Sequence, residues 1–204
     1  MRIIIARHGE TNENADKRLS GNSNKAQLIK GGLDHAKGLK KLFKNHKIEA
    51  VFSSPLDRAM ETAKPIAKYL KLKIRPVEEL REFDFGELDG VEEKAEAEEA
   101  LFHRRKNTNF RFPKGESYND VLKRVNNFLK KLLKKKHNMI LVIGHGGVNR
   151  SLLSILLKKD PKDVDKINTL NNIVYEVDTE TGICWWQDTF SGEKGEGLLS
   201  RKGV

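Results

Sequence analysis

Three short runs constrain the fold of this chain more than any other feature. Ile3-Ile4-Ile5-Ala6, Ala50-Val51-Phe52 and Met139-Ile140-Leu141-Val142-Ile143 are apolar without interruption. Each passes directly into polar or glycine-rich residues: Arg7-His8-Gly9, Ser53-Ser54-Pro55 and Gly144-His145-Gly146-Gly147. A strand with no polar side must be buried on both faces, the condition met where helices cover a parallel sheet above and below. Apolar residues at helical spacing follow each run, over Gln27 to Phe43, Pro55 to Leu70 and Val148 to Leu157. Strand and helix therefore alternate, and the chain reads as an α/β protein, a three-layer α/β/α sandwich with a mainly parallel central sheet. Ser54-Pro55-Leu56-Asp57 has the form of an N-cap serine with proline at the first helical position. Ser117-Tyr118-Asn119-Asp120 has that of a capping box ahead of an apolar stripe from Val121 to Leu133.

The length of 204 residues suits one domain, and no internal stretch has the composition of a linker. Residues 1–190 read as that domain, closing with a hairpin from Ile173 to Val177 and Ile183 to Gln187. Residues 87–114 read as an excursion over one sheet edge, with an acidic, alanine-rich surface helix from Glu92 to Ala100 followed by mixed aromatic and basic residues from Phe102 to Pro113. Residues 191–204, rich in Gly, Lys and Glu, read as a mobile tail. The single cysteine, Cys184, excludes an intrachain disulfide and a multi-cysteine zinc site, and points to a reducing compartment. The apolar start is too short for a signal-peptide core and no run is long enough for a membrane span, so a cytoplasmic protein with no membrane partner is expected.

With 39 Lys and Arg against 29 Asp and Glu, the formal net charge is +10. Such a surface attracts anions of any kind: nucleic acid, acidic membrane or phosphorylated metabolite. The ends of the apolar runs narrow the choice. Ligands of parallel α/β sheets bind beyond the carboxyl ends of the strands, where Arg7, His8, Arg58 and His145 would converge. Four cationic or potentially cationic groups repel one another unless an anion sits between them. Guanidinium forks match phosphate oxygens in bidentate fashion. One histidine becomes a nucleophile if its second ring nitrogen donates to a carbonyl, and the other, if protonated, stabilises charge on a transferring phosphoryl group. A proton donor for a leaving alcohol is available in Glu78-Glu79-Leu80-Arg81-Glu82-Phe83-Asp84, since a carboxyl beside a phosphate is expected to titrate high.

These residues resemble the signatures of the histidine phosphatase superfamily, which contains cofactor-dependent phosphoglycerate mutases and related phosphatases. Arg7-His8-Gly9-Glu10-Thr11 with Asn14 is similar to the opening signature. Ser53-Ser54-Pro55-Leu56-Asp57-Arg58-Ala59-Met60-Glu61-Thr62-Ala63 resembles the second, Leu80-Arg81-Glu82-Phe83-Asp84-Phe85-Gly86 the acid-bearing segment, and Gly144-His145-Gly146-Gly147 the last. The resemblance implies that His8 attacks phosphorus, that Arg7, Arg58 and His145 bind the phosphoryl oxygens, and that Asn14 and the Gly146 amide assist. Glu82 corresponds to the proton donor, and Ser20 and Gly21 to a loop contact on the substrate side. It implies neither metal nor other cofactor.

Family mutases carry a basic residue directly after the acid and a tyrosine before the following glycine; here Phe83 and Phe85 stand in those places. Hydrolysis of a phosphomonoester, a small phosphorylated metabolite, is the reading these departures favour. A phosphoglycerate mutase is the alternative, and a non-catalytic module binding RNA or another anion is a third. Nucleic acid is disfavoured because most lysines fall on expected solvated helix faces and because His8 and Glu82 would then have no task.

Overall fold

A computed structural model describes residues 1–201. Its strands are β1 (Arg2–Arg7), β2 (Ala50–Ser53), β3 (Ile74–Pro76), β4 (Met139–Gly144), β5 (Ile173–Asp178), β6 (Cys184–Asp188) and β7 (Lys194–Glu196). The helices are α1 (Asn12–Ala15), α2 (Lys30–Phe43), α3 (Asp57–Leu70), α4 (Ala95–Lys106), α5 (Tyr118–Leu132) and α6 (Gly146–Leu156). One sheet runs in the order β3-β2-β4-β1-β5-β6-β7. β3, β2, β4 and β1 are parallel, and β5, β6 and β7 add an antiparallel edge.

The uninterrupted apolar runs are explained by two separate cores. Ile3, Ile5, Ile140 and Val142 pack on one face with Val121, Val125 and Phe128 of α5 and Leu152 and Leu153 of α6. Ile4, Ala6, Leu141 and Ile143 pack on the other with Leu39 and Phe43 of α2 and Ala63 and Ile66 of α3. Successive residues of a strand point to opposite faces, so each run must be apolar throughout to satisfy both layers. The parallel pairing of β1 with β4, Arg7 opposite Gly144, brings the two polar strand ends side by side. Pairing of β2 with β4, Ser53 opposite Ile143, sets the third beside them.

Two boundaries and one segment differ from the sequence reading. Helix α3 starts at Asp57 with Leu56 at the cap. Ser54 serves the turn before it, its Oγ accepting the Leu56 N–H at 3.3 Å, with Pro55 between. The helix in the excursion runs to Lys106, further than its acidic start suggests. Residues expected in a mobile tail instead form β7, which pairs antiparallel with β6, and Ser200 bridges to Ile167; residues 202–204 of that stretch lie outside the described residues. The Ser117 capping box is present, with its Oγ accepting the Asp120 N–H and Asp120 accepting the Ser117 N–H. Among the described residues no helix is long and apolar enough to cross a membrane.

Candidate active site

The carboxyl ends of β1, β2 and β4 and the helices leaving them bring together the residues singled out in the sequence. His8 follows β1 and is buried, with its Nδ1 2.7 Å from the Gly9 carbonyl oxygen. A carbonyl oxygen only accepts, so Nδ1 carries the proton and Nε2 is left with its lone pair. His145 follows β4, fully buried, its ring centroid 5.0 Å from that of His8. Burial, reinforced by Arg7 and Arg58, holds the His8 pKa well below the usual imidazole value. Burial likewise holds His145 well down, aided by Arg58, His8 and Arg7. His145 is therefore neutral here rather than a standing imidazolium, because a third charge beside two buried guanidiniums in a low-dielectric pocket is too costly.

Arg58 lies in the first turn of α3, only 1% exposed. Its Nη1 donates to the Ser23 carbonyl at 2.8 Å and its Nη2 to the Gly21 carbonyl at 2.6 Å. Arg7 donates through Nη1 to the Thr169 carbonyl at 3.4 Å. The Nε atoms of both arginines and both ring nitrogens of His145 are buried without a hydrogen-bond partner among the described residues. Buried polar atoms are rarely left unmatched, and these are donors or potential donors clustered at one place, the pattern an oxyanion would satisfy.

A cavity of about 180 Å³ meets this cluster at Arg7, bordered also by Asn14, Ser20, Glu82, Phe83 and Gly146 among others, while His8, Arg58 and His145 lie behind its wall. Asn14 accepts the Thr11 N–H through Oδ1 in the reciprocal cap of α1, which leaves its amide NH₂ to donate. The Glu82 carboxylate sits at the start of α6, accepting the Gly147 N–H at 3.0 Å, the Val148 N–H at 3.3 Å and its neighbour Phe83's N–H at 3.0 Å. Ser20 borders the cavity with a buried, unmatched Oγ. Gly21 does not border it: its N–H donates to Asp89 and its carbonyl is taken by Arg58, so it supports the arginine rather than facing a substrate.

Four residues support the site without having been given a role in the sequence, although Thr62 falls within the second signature. The Thr62 hydroxyl accepts the Gly9 N–H at 2.9 Å and donates to the Arg58 carbonyl at 2.6 Å, locking the loop after β1 to α3; its position four residues after Arg58 was a usable signal. Asn171 donates to the His8 carbonyl at 2.6 Å, and the Thr169 hydroxyl to the Gly146 carbonyl at 3.2 Å. Arg124 on α5 holds the acid-bearing segment, donating to the carbonyls of Glu79, Arg81 and Glu82 while gripping Glu116. Glu116 is thus occupied in holding Arg124.

The family model of the histidine phosphatase superfamily (branch 1) matches residues 3–189. The chain belongs to that superfamily. Among its relatives in the superfamily, phosphoglycerate mutase-like protein 4 of Arabidopsis thaliana is 33% identical over 206 residues, 95% of this chain and 88% of that protein. A metal-independent phosphoserine phosphatase from the same plant is 31% identical over 98% of this chain and 86% of its own length. In fold, this histidine phosphatase superfamily member is similar to a mycobacterial glucosyl-3-phosphoglycerate phosphatase solved with VO3. The TM-score is 0.81 and the identity 21%, over 98% of this chain and 99% of the other.

Proposed function

We propose that the protein hydrolyses small phosphomonoesters through a phosphohistidine intermediate, without a metal ion. The observation that carries this reading is the His8 tautomer: Nδ1–H is committed to the Gly9 carbonyl, and the free Nε2 belongs to a buried ring under the influence of the Arg7 and Arg58 charges. In the first step the Nε2 lone pair forms a bond to phosphorus and the ester P–O bond breaks. Its electrons stay on the leaving oxygen, which takes the proton of the Glu82 carboxyl. Arg7, Arg58, His145, Asn14 and the Gly146 amide hold the phosphoryl oxygens as charge builds on them. In the second step water gives a proton to the Glu82 carboxylate and attacks phosphorus. The P–N bond breaks, and neutral His8 and the carboxylic acid are restored.

Hydrolysis is favoured over isomerisation by the residues that flank the acid. Phe83 stacks on Phe85 at 5.7 Å and on Tyr118 at 5.9 Å, with Phe112 edge-on to Phe83 and Phe85. Positions 83 and 85 themselves thus supply no cation or hydroxyl, unlike the corresponding places of family mutases, and the Arg104 guanidinium that lies 5.9 Å from the Phe83 and Tyr118 rings is paired with Asp165. The test is release of inorganic phosphate from p-nitrophenyl phosphate in the presence of EDTA, together with capture of an acid-labile phosphoenzyme. His8→Ala is expected to abolish both, and turnover that survives this substitution would overturn the mechanism. Conversion of 3-phosphoglycerate to its 2-isomer faster than phosphate release would favour the mutase instead.

A further inference from the structure

The cavity bordered by Arg7, Glu82 and Gly146 carries more positive charge than one phosphoryl group accounts for. Arg7, Arg18, Arg104, Arg105, Arg150 and Arg201 border it, against the three carboxylates Glu82, Glu93 and Asp165. Part of this charge is matched locally. Arg104 pairs with Asp165 at 2.7 Å with both side chains buried, and Arg18 pairs with Glu92 at 3.2 Å. Glu82 is engaged by the amides of α6. Arg150 differs from these. Its Nε donates to the Ile167 carbonyl at 3.1 Å, and it forms no ion pair among the described residues. Burial pushes its pKa down to about 10, with Asp165 opposing and Arg201 and Arg7 adding to the fall. Arg201 is exposed and reaches the same cavity because its N–H is tied to the Lys166 carbonyl at 2.7 Å.

The helix sets the spacing. Arg150 stands four residues after Gly146 on α6, on the same face and ~6 Å further along the axis. A group bound by Arg150 therefore lies about one helical turn from a phosphoryl group seated at the Gly146 amide. The volume adds a second limit: the cavity holds about 180 Å³. That is below the ~300–1,000 Å³ of pockets for drug-sized ligands.

We propose that Arg150, assisted by Arg201, binds a second anionic group of the substrate, which is a small phosphomonoester carrying a carboxylate or another phosphate about one helical turn from the reacting phosphorus. The planar fork of Arg150 suits either group, and binding it offsets the repulsion among Arg7, Arg150 and Arg201. This inference rests on the phosphatase reading of the histidine cluster, and it assigns specificity residues outside the acid-bearing segment.

Two matched substrate pairs test it. O-phosphoserine and O-phosphoethanolamine differ by one carboxylate; propane-1,3-diol bisphosphate and propyl phosphate differ by one phosphate. The wild-type protein is expected to prefer the doubly anionic member of at least one pair by about 10- to 100-fold in kcat/KM, the range of a hydrogen bond to a charged partner. The pair that shows the preference identifies the group. Arg150→Met is expected to bring that ratio within threefold of one, and Arg201→Gln, at an exposed position that does not endanger folding, to lower it several-fold. A wild-type ratio near one in both pairs, or a ratio that neither substitution moves, would overturn the assignment while leaving the phosphatase reading intact. Absence of any wild-type turnover, with p-nitrophenyl phosphate included, would instead remove the phosphatase reading, and the second-anion subsite with it.

Discussion

Arg124 is the residue through which the position of Glu82 can be tested without touching the acid itself. It makes hydrogen bonds to three consecutive-segment carbonyls, Glu79 and Arg81 at 2.7 Å and Glu82 at 3.1 Å, and a two-pronged ion pair with Glu116 at 2.9 and 3.0 Å. Arg124→Met keeps the aliphatic stem and removes all five donors' contacts. Their energies do not add, since they share one guanidinium. Removing one partner of a buried pair costs about 3–5 kcal/mol, and because the Arg124 side chain is 18% exposed the lower end, ~3 kcal/mol, is the better estimate. For a domain of this size that lowers Tm by roughly 6–12 °C. The kinetic consequence depends on the leaving group. An alkoxide needs the Glu82 proton to depart, whereas p-nitrophenolate leaves without it. With the Glu82 backbone released, the share of rate that general acid catalysis supplies, ~10²–10⁴-fold when intact, is partly lost for alkyl esters only. The expectation is a fall in kcat of about tenfold or more for an alkyl phosphate and less than threefold for the aryl phosphate, measured in the temperature range where circular dichroism shows the variant folded. An equal fall for both esters would refute the claim that Arg124 acts through the proton donor.

Stability should decline on mild acidification. His8, His35 and His145 are buried and their pKa values are pushed down mainly by burial, that of His35 to about 4. Unfolded imidazoles titrate near 6.5, so below that pH the unfolded chain takes up protons that the native chain refuses, and native stability falls as pH drops. His35 alone accounts for about 2 kcal/mol between pH 7 and 5; equal urea midpoints at the two pH values would sink this account. Gly147→Ala should disturb the acid directly, because the new Cβ falls 2.8 Å from the Glu82 Oε1 and 2.9 Å from the Phe83 ring. Overpacking of this kind costs ~1–3 kcal/mol. Loss of alkyl-phosphate turnover should exceed loss of aryl-phosphate turnover, and unchanged kinetics with both would contradict the described packing.

What could be seen in the sequence was whatever is encoded by neighbours. The strands β1, β2 and β4 are legible because burial on both faces demands an unbroken apolar run; Arg7, His8 and His145 are legible because they stand at the ends of those runs, and Arg58 because it falls in the first turn of the helix after one of them. Strand β7 is not, since Lys194-Gly195-Glu196 contains no apolar side chain. It exists because the edge of β6 has backbone groups to satisfy and because the Gly195 backbone can approach the Trp186 indole, which a Cβ would meet at 2.8 Å. Helix α4 is likewise hard to read, as Ala97 and Arg104 are its buried residues and the charges around them hide the period. The supports of the site lie far off in the chain: Thr169 and Asn171 reach Gly146 and His8 from a loop whose placement depends on the whole sheet.

The same distinction governs the charge of +10. Lys130, Lys131 and Lys134 to Lys136 are exposed, where water and salt screen each of them. Arg7, Arg58 and Arg150 are desolvated, with pKa values lowered by burial, and a charge taken out of water interacts several times more strongly with an anion than one left in it. On the proposed reading, anion binding rests on these few guanidiniums withdrawn from water, and burial is the quantity that composition does not report. A variant that neutralises several exposed lysines changes the net charge far more than Arg58→Met does, yet the second is the one expected to abolish phosphate recognition.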